Sequence, residues 1–249
     1  MTENLVHPQA IRAVFFDVGF TLLSPHPSVV EIVCAVCESR GTPVDAACLQ
    51  AHESHANAVL RTSVKANPYT WSDEQAIEAT WVTFFAELLR PCLAVAGEEE
   101  LMACARACQQ VFDDASSYAL YPDVLPVLRV LKERELTLGV ISDWGIGLGL
   151  ILRRHDLIQY FDFAVVSAAV RLAKPDPALF DTALRRADAI PDYALHIGDS
   201  YVLDVLGARA AGITPVLLDR RGAIVPGTVD CAVVRDLYGL LDVLEIRAD

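Results

Sequence analysis

From Leu136 to the C-terminus, short apolar runs alternate strictly with segments patterned as helices. Residues 136–142, 163–167, 194–198, 214–218 and 231–234 read as strands, and residues 146–155, 177–187, 202–211 and 235–246 read as helices, with a further helix over Pro122–Lys132. Strict alternation implies a parallel sheet covered on both faces, because each crossover lays a helix against it. The stretch Ile11–Leu23 adds another strand. Its apolar run stops at Asp17, with Gly19 close behind, as expected of a buried strand that runs out into a loop.

Between Pro27 and about Ser116 the pattern is different. Ile32, Val33, Val36 and Cys37 recur at helical spacing, as do Ile77, Trp81, Phe84, Phe85 and Leu88, and then Leu101, Ala105, Cys108 and Val111. Strand-like alternation is absent. Four helices are expected, broken at Gly41-Thr42-Pro43, Asn67-Pro68 and Ala96-Gly97. The simplest architecture is an α/β doubly wound, Rossmann-like parallel-sheet domain, residues 1–24 and 117–249. An α-helical domain, residues 25–116, is inserted after its first strand.

The formal charge of −13 argues against nucleic acid or an anionic membrane as a partner. No apolar run approaches the ~18–20 residues that span a bilayer. The polar start Met1–Ala10 lacks the pattern of a signal peptide, so a cytoplasmic chain is expected. Seven cysteines without framework spacing fit reduced thiols. Cys34 and Cys37 form a CxxC, and His52 and His55 follow. The gaps of fourteen and two residues miss the zinc-finger spacing of about twelve and three to five, so buried cysteines and surface histidines are the expectation.

In a doubly wound sheet, functional groups gather beyond the carboxyl ends of the strands. Those ends carry Asp17, Ser142, Lys174, Asp199 and Asp204. Acidic groups crowded together repel unless a cation sits among them. Magnesium, held by one or two carboxylates and a substrate phosphate, suits such a set. With Lys174 it would stabilise a transferring phosphoryl group.

These residues resemble the motifs of the haloacid dehalogenase-like hydrolase superfamily, and the resemblance covers nearly the whole chain. The first motif appears as Asp17-Val18-Gly19-Phe20-Thr21 and the second as Ser142. The third is Lys174 in Lys174-Pro175-Asp176-Pro177-Ala178-Leu179-Phe180, and the fourth is Gly198-Asp199-Ser200-Tyr201-Val202-Leu203-Asp204. The helical insertion lies where the family's first-type cap belongs. Tyr121-Pro122-Asp123 and Asp143-Trp144 resemble a subgroup named after a rhythmically expressed insect gene.

The resemblance implies that Asp17 attacks the substrate and forms a covalent aspartyl intermediate. It implies that Ser142 and Lys174 bind the transferred group, and that Thr21 bonds the nucleophile loop and contributes to substrate binding. Asp17, the Gly19 carbonyl and Asp199 would hold Mg2+, and Asp204 would orient Lys174 or the metal's waters. The cap would close over the crevice, with Arg40, Arg61 and Trp71 within possible reach. Trp81 and Phe84 are expected in the cap's own core.

One position departs from the pattern. Most phosphatases of the family have Asp two residues after the nucleophile, where this chain has Gly19. That aspartate protonates the leaving group, and general acid–base help is typically worth ~10²–10⁴-fold. Three readings stay open. One is a Mg-dependent phosphatase, slow or selective for good leaving groups. Another is a 2-haloacid dehalogenase, which needs no proton donor but typically works without metal and lacks a carboxylate at the position of Asp199. The last is a non-catalytic binding or regulatory protein. Substrates would be a small phosphate ester or a haloacid. Asp143 is a second oddity, expected to cap the following helix.

Overall fold

The computed structural model describes residues 10–67, 69–93 and 97–246. The readings at Met1–Gln9, Pro68 and Ala96 lie outside the described residues. The core strands are β1 (Ala13–Phe16), β4 (Thr137–Ser142), β5 (Phe163–Val166), β6 (Ala194–Gly198), β7 (Thr214–Leu218) and β8 (Ala232–Val234). They form one six-stranded sheet in the order β5-β4-β1-β6-β7-β8, and every pairing is parallel.

The side-chain period of two explains why β1 is apolar at every position. Val14 and Phe16 point into one core with Leu138, Val140, Leu195 and Ile197. Helices α5 (Val124–Glu133), α6 (Leu148–Arg154) and α10 (Tyr238–Val243) contribute to that core. Ala13 and Phe15 point into a second core, covered by α8 (Pro177–Ala187) and α9 (Leu206–Ala210). All four residues of β1 are fully buried.

Helices α1 (Val29–Ser39), α2 (Ala46–Ala66), α3 (Glu74–Leu89) and α4 (Glu98–Asp113) make the insertion. They share a separate core built on Val33, Leu49, Phe85, Leu88 and Cys108. Phe84 is buried there, and Trp81 packs against it. Arg40 is paired with Glu100 on the insertion's surface.

A short antiparallel pair, β2 (Leu23–Pro25) with β3 (Tyr118–Leu120), sits where the chain leaves and re-enters the sheet domain. Three residues per strand are too few to show alternation, so this pair was not visible in the sequence. The one-turn helix α7 (Ser167–Val170) was hidden for the same reason. The segment expected as one helix over 202–211 opens instead as a π-helical turn, Tyr201–Val205, before α9. Such wide turns recur at functional sites.

The expectation of seven reduced thiols is corrected. Cys48 and Cys92, 44 residues apart, are bonded, with their Cα atoms 5.9 Å apart. Packing of α2 against α3 brings them together, and nothing in their spacing announces it. Among the described residues, no helix is long and apolar enough to cross a membrane.

Candidate active site

Asp17 follows β1 directly, and its backbone N–H donates to the Ile197 carbonyl of β6 at 3.0 Å. Its side chain is buried beside Lys174, whose Nζ donates to Asp17 Oδ1 at 2.8 Å and to Asp204 Oδ1 at 2.5 Å. Ser142, at the end of β4, donates to Asp17 Oδ1 over a longer 3.5 Å. Carboxylate oxygens of Asp17, Asp199 and Asp204 all lie within 4.8 Å of one another. Five residues drawn from four separate stretches of sequence therefore meet at the carboxyl ends of β1, β4 and β6.

Burial penalises every charge in this cluster. It pushes the Asp17 carboxyl up, against the pull of Lys174. Burial also works against the Lys174 ammonium, but Asp17, Asp204 and Asp143 outweigh it and hold the lysine protonated. Asp204 is desolvated too, yet Lys174 and His196 keep it far below the ordinary carboxylate range. Asp199, which retains exposed surface, is pushed up to about 7, first by desolvation and then by the charges of Asp17 and Asp204. With all three carboxylates ionised, Lys174 leaves a deficit of two positive charges. A hard dication with oxygen ligands matches that deficit in charge and in donor chemistry.

Gly198 makes the packing possible. A Cβ at this position would fall 2.1 Å from Asp204 Cγ, so any side chain would displace the carboxylate. Gly19 is different. Its Cβ would meet only Trp144 Cζ3, at 3.4 Å, and its φ is not positive. Neither space nor backbone geometry demands glycine there.

Thr21 is fully buried, and its Oγ1 has no hydrogen-bond partner among the described residues. Its backbone does the anchoring: the Thr21 carbonyl accepts from Arg220 Nε at 3.2 Å and Nη2 at 2.8 Å. Arg220 also forks onto Asp123 at 2.9 and 3.1 Å and stacks 3.8 Å over the Tyr121 ring. This clamp was missed in the sequence, although Tyr121-Pro122-Asp123 had stood out. An arginine can serve such a planar, bidentate site where a lysine cannot.

Asp143 does not cap the next helix, as expected from sequence. Helix α6 begins only at Leu148, and the Asp143 carboxylate turns back to accept the Lys174 backbone N–H at 3.0 Å. Its other oxygen is buried without a partner, and desolvation raises its pKa to about 7.

His196 was also missed. It lies in β6, fully buried, with Nε2 2.9 Å from Asp204 Oδ1 and its ring edge-on to Phe180. Burial lowers its pKa. Because Asp204 is held ionised, the imidazole proton sits on Nε2 and donates to it. A lone histidine inside an otherwise apolar strand was the available signal.

The insertion reaches the site by two routes. Glu74, at the start of α3, accepts a hydrogen bond from the Ile146 N–H in the loop after β4. Aromatic rings also run in contact from Phe85 to Phe112, Tyr118 and Trp144, at centroid spacings of 5.0, 6.5 and 5.4 Å. Trp144 is the residue that packs over Gly19.

A doubly wound sheet that collects an aspartate, a serine, a lysine and two further aspartates at its strand ends defines an α/β fold with an acidic crevice built around one buried lysine. A model of haloacid dehalogenase-like hydrolases matches residues 11–212. The chain belongs to this hydrolase family. It is 29% identical to haloacid dehalogenase-like hydrolase domain-containing protein 3 of Danio rerio, over 85% of this chain and 86% of the relative. It is 30% identical to a phosphoserine phosphatase of Thermus thermophilus, over 68% of this chain and 74% of the relative. Among solved structures it resembles a 2-haloacid dehalogenase from Pseudomonas syringae. The two share 26% identity and a TM-score of 0.62, over 94% of this chain and 98% of that one.

Proposed function

We propose that this hydrolase is a magnesium-dependent phosphatase that acts on a small phosphate ester through an aspartyl-phosphate on Asp17. The observation that carries this reading is the convergence of the Asp17, Asp199 and Asp204 carboxylates beside a single lysine that pairs with only two of them. A dehalogenase has no use for such a surplus of negative charge. A phosphatase uses it to hold a dication against its substrate. The similarity to a phosphoserine phosphatase favours the same class.

In this reading Asp17, the Gly19 carbonyl and Asp199 would hold Mg2+, which would supply charge neutralisation for the phosphoryl oxygens. Asp17 attacks phosphorus with the carboxylate oxygen not held by Lys174. The Asp17 O–P bond forms, and the bond to the leaving oxygen breaks. Lys174 and Ser142 bind the equatorial oxygens as charge moves onto them. Water then cleaves the acyl phosphate and releases inorganic phosphate. Asp204 and His196 keep Lys174 in place and charged. Asp143 holds the backbone of the Lys174 loop. Thr21, with its buried free hydroxyl, forms part of the wall beside the nucleophile. The helical insertion serves as a cap that excludes water, and Trp144 occupies the side of the site left open by Gly19.

The test is a panel of phosphate esters and haloacids assayed with Mg2+ and with EDTA. Hydrolysis of p-nitrophenyl phosphate that needs Mg2+ is expected, with no chloride released from 2-chloropropionate. Chloride release in EDTA would establish the dehalogenase reading, which Gly19 and the Pseudomonas syringae structure favour. No turnover of either class would leave a binding protein.

Gly19 has a further consequence. Without a proton donor, the leaving group departs as its anion, so aryl and acyl phosphates outrun alkyl phosphates. Gly19→Asp is accommodated beside Trp144, and it is expected to raise kcat for alkyl phosphates by about 10²-fold. The gain for p-nitrophenyl phosphate should be much smaller. Equal gains on both would show that position 19 does not act through proton transfer.

A further inference from the structure

A second cluster of ligand-bearing side chains lies on the helical insertion, away from the crevice. Cys48 and His52 are one turn apart on α2, where i and i+4 share a face. Cys92 enters from the turn after α3. The two sulfurs and one ring nitrogen of His52 all lie within 4.8 Å of one another. Cys48 Sγ is 3.8 Å from His52 Nδ1. In a tetrahedral zinc site, Zn–S of about 2.3 Å and Zn–N of about 2.0–2.1 Å put sulfur and nitrogen about 3.6 Å apart. The same Nδ1 lies 2.9 Å from the Cys48 carbonyl, a contact the imidazole gives up when that nitrogen takes the metal.

We propose that Cys48, Cys92 and His52 form a zinc site that takes the place of the Cys48–Cys92 disulfide when the chain is reduced. Two thiolates and an imidazole are soft and borderline donors, which select zinc over magnesium or calcium. All three residues are half-buried, so the site is open to solvent and reductant. His52 also lines an open pocket with His55, Glu87, Arg90 and Pro91, which leaves room for a fourth ligand. The nearby positive charge is already committed, because Arg90 is paired with Glu98 and Glu87.

Cys34 and Cys37, the CxxC of the sequence, take no part. Cys34 Sγ is directed at the Val44 carbonyl, and Cys37 is buried in the insertion's core. The exchange balances with a dithiol as reductant. The dithiol attacks one sulfur, and the Cys48–Cys92 bond breaks. Two electrons and two protons pass to the cysteines, and the reductant leaves as its own disulfide. Zinc then binds both thiolates, and the two thiol protons go to solvent. Either cross-link ties the start of α2 to the end of α3, so the insertion is pinned in both redox states.

The test uses the full chain, reduced with dithiothreitol, desalted without oxygen and titrated with Co2+. One equivalent is expected to give a cobalt–thiolate charge-transfer band, which zinc then removes. The oxidised chain and Cys48→Ser should show no band, and Cys34→Ser should match the parent. His52→Ala keeps both thiols and is expected to bind at least about tenfold more weakly. Asp17→Asn should keep the band in full, because carboxylates give no thiolate signal; its result separates this site from the crevice. A reduced chain without the band would overturn the proposal. So would a band that persists unchanged in Cys48→Ser or His52→Ala, or one that disappears in Asp17→Asn. If Cys48→Ser fails to fold, His52→Ala decides alone.

Discussion

Asp17→Asn is expected to reduce Mg-dependent hydrolysis of p-nitrophenyl phosphate to below about a thousandth of the parent rate, since removing a nucleophile removes the pathway itself. The amide is nearly isosteric, and it keeps an oxygen that can accept from Lys174 Nζ, now 2.8 Å from Asp17 Oδ1. The fold should therefore persist, and circular dichroism should match the parent. The substitution also removes one of the three converging carboxylates. Mg2+ affinity, measured by calorimetry, should fall together with activity. Hydrolysis that survives at more than a few per cent of the parent rate would show that Asp17 does not attack phosphorus.

Lys174→Met is expected to have the largest effect on stability. The lysine side chain is 2% exposed and bonded to two carboxylates, of which Asp204 is also 2% exposed. Removing one partner of a buried ion pair typically costs about 3–5 kcal/mol, because the remaining charge stays desolvated and unpaired. For a chain of this size that corresponds to a fall in Tm of about 6–20 °C. The pH dependence has a definite sign. Without Lys174 the Asp17 carboxyl, already raised by burial, is raised further, and Asp204 loses the cation that most depresses it. The folded state then binds more protons than the unfolded state, so stability is recovered as pH falls and lost as it rises. Urea denaturation of Lys174→Met at pH 5 and pH 8 in EDTA should show the deficit mainly at pH 8. Added Mg2+ should restore part of it by supplying the missing charge. A variant as stable as the parent at pH 8 in EDTA would mean that Lys174 does not neutralise this cluster.

Much of the frame is legible in the sequence. Helix α8 and strands β6 and β7 begin and end where their patterns do, at 177–187, 194–198 and 214–218. Those stretches are long enough to show a period and are bounded by proline, aspartate or glycine. Two kinds of feature did not show. The β2–β3 pair is held by pairing between residues nearly a hundred positions apart, over strands too short to carry a pattern. Arg220 and His196 look like ordinary surface and core residues until the fold places each against a buried partner.

The alternation of apolar runs determined a parallel sheet, and the polar residues closing those runs determined which side chains would meet. A strand's period is local, and every parallel strand delivers its last residue to the same edge. Only the tertiary structure decided how those residues act on one another. Burial raises Asp17 and Asp199 while Lys174 and His196 depress Asp204, and Asp143 turns from the expected helix cap to the Lys174 backbone. It also joined Cys48 to Cys92 and stood His52 beside them, leaving the CxxC elsewhere. Distances of a few ångströms and the loss of water govern these effects, and neither quantity is written in residue spacing.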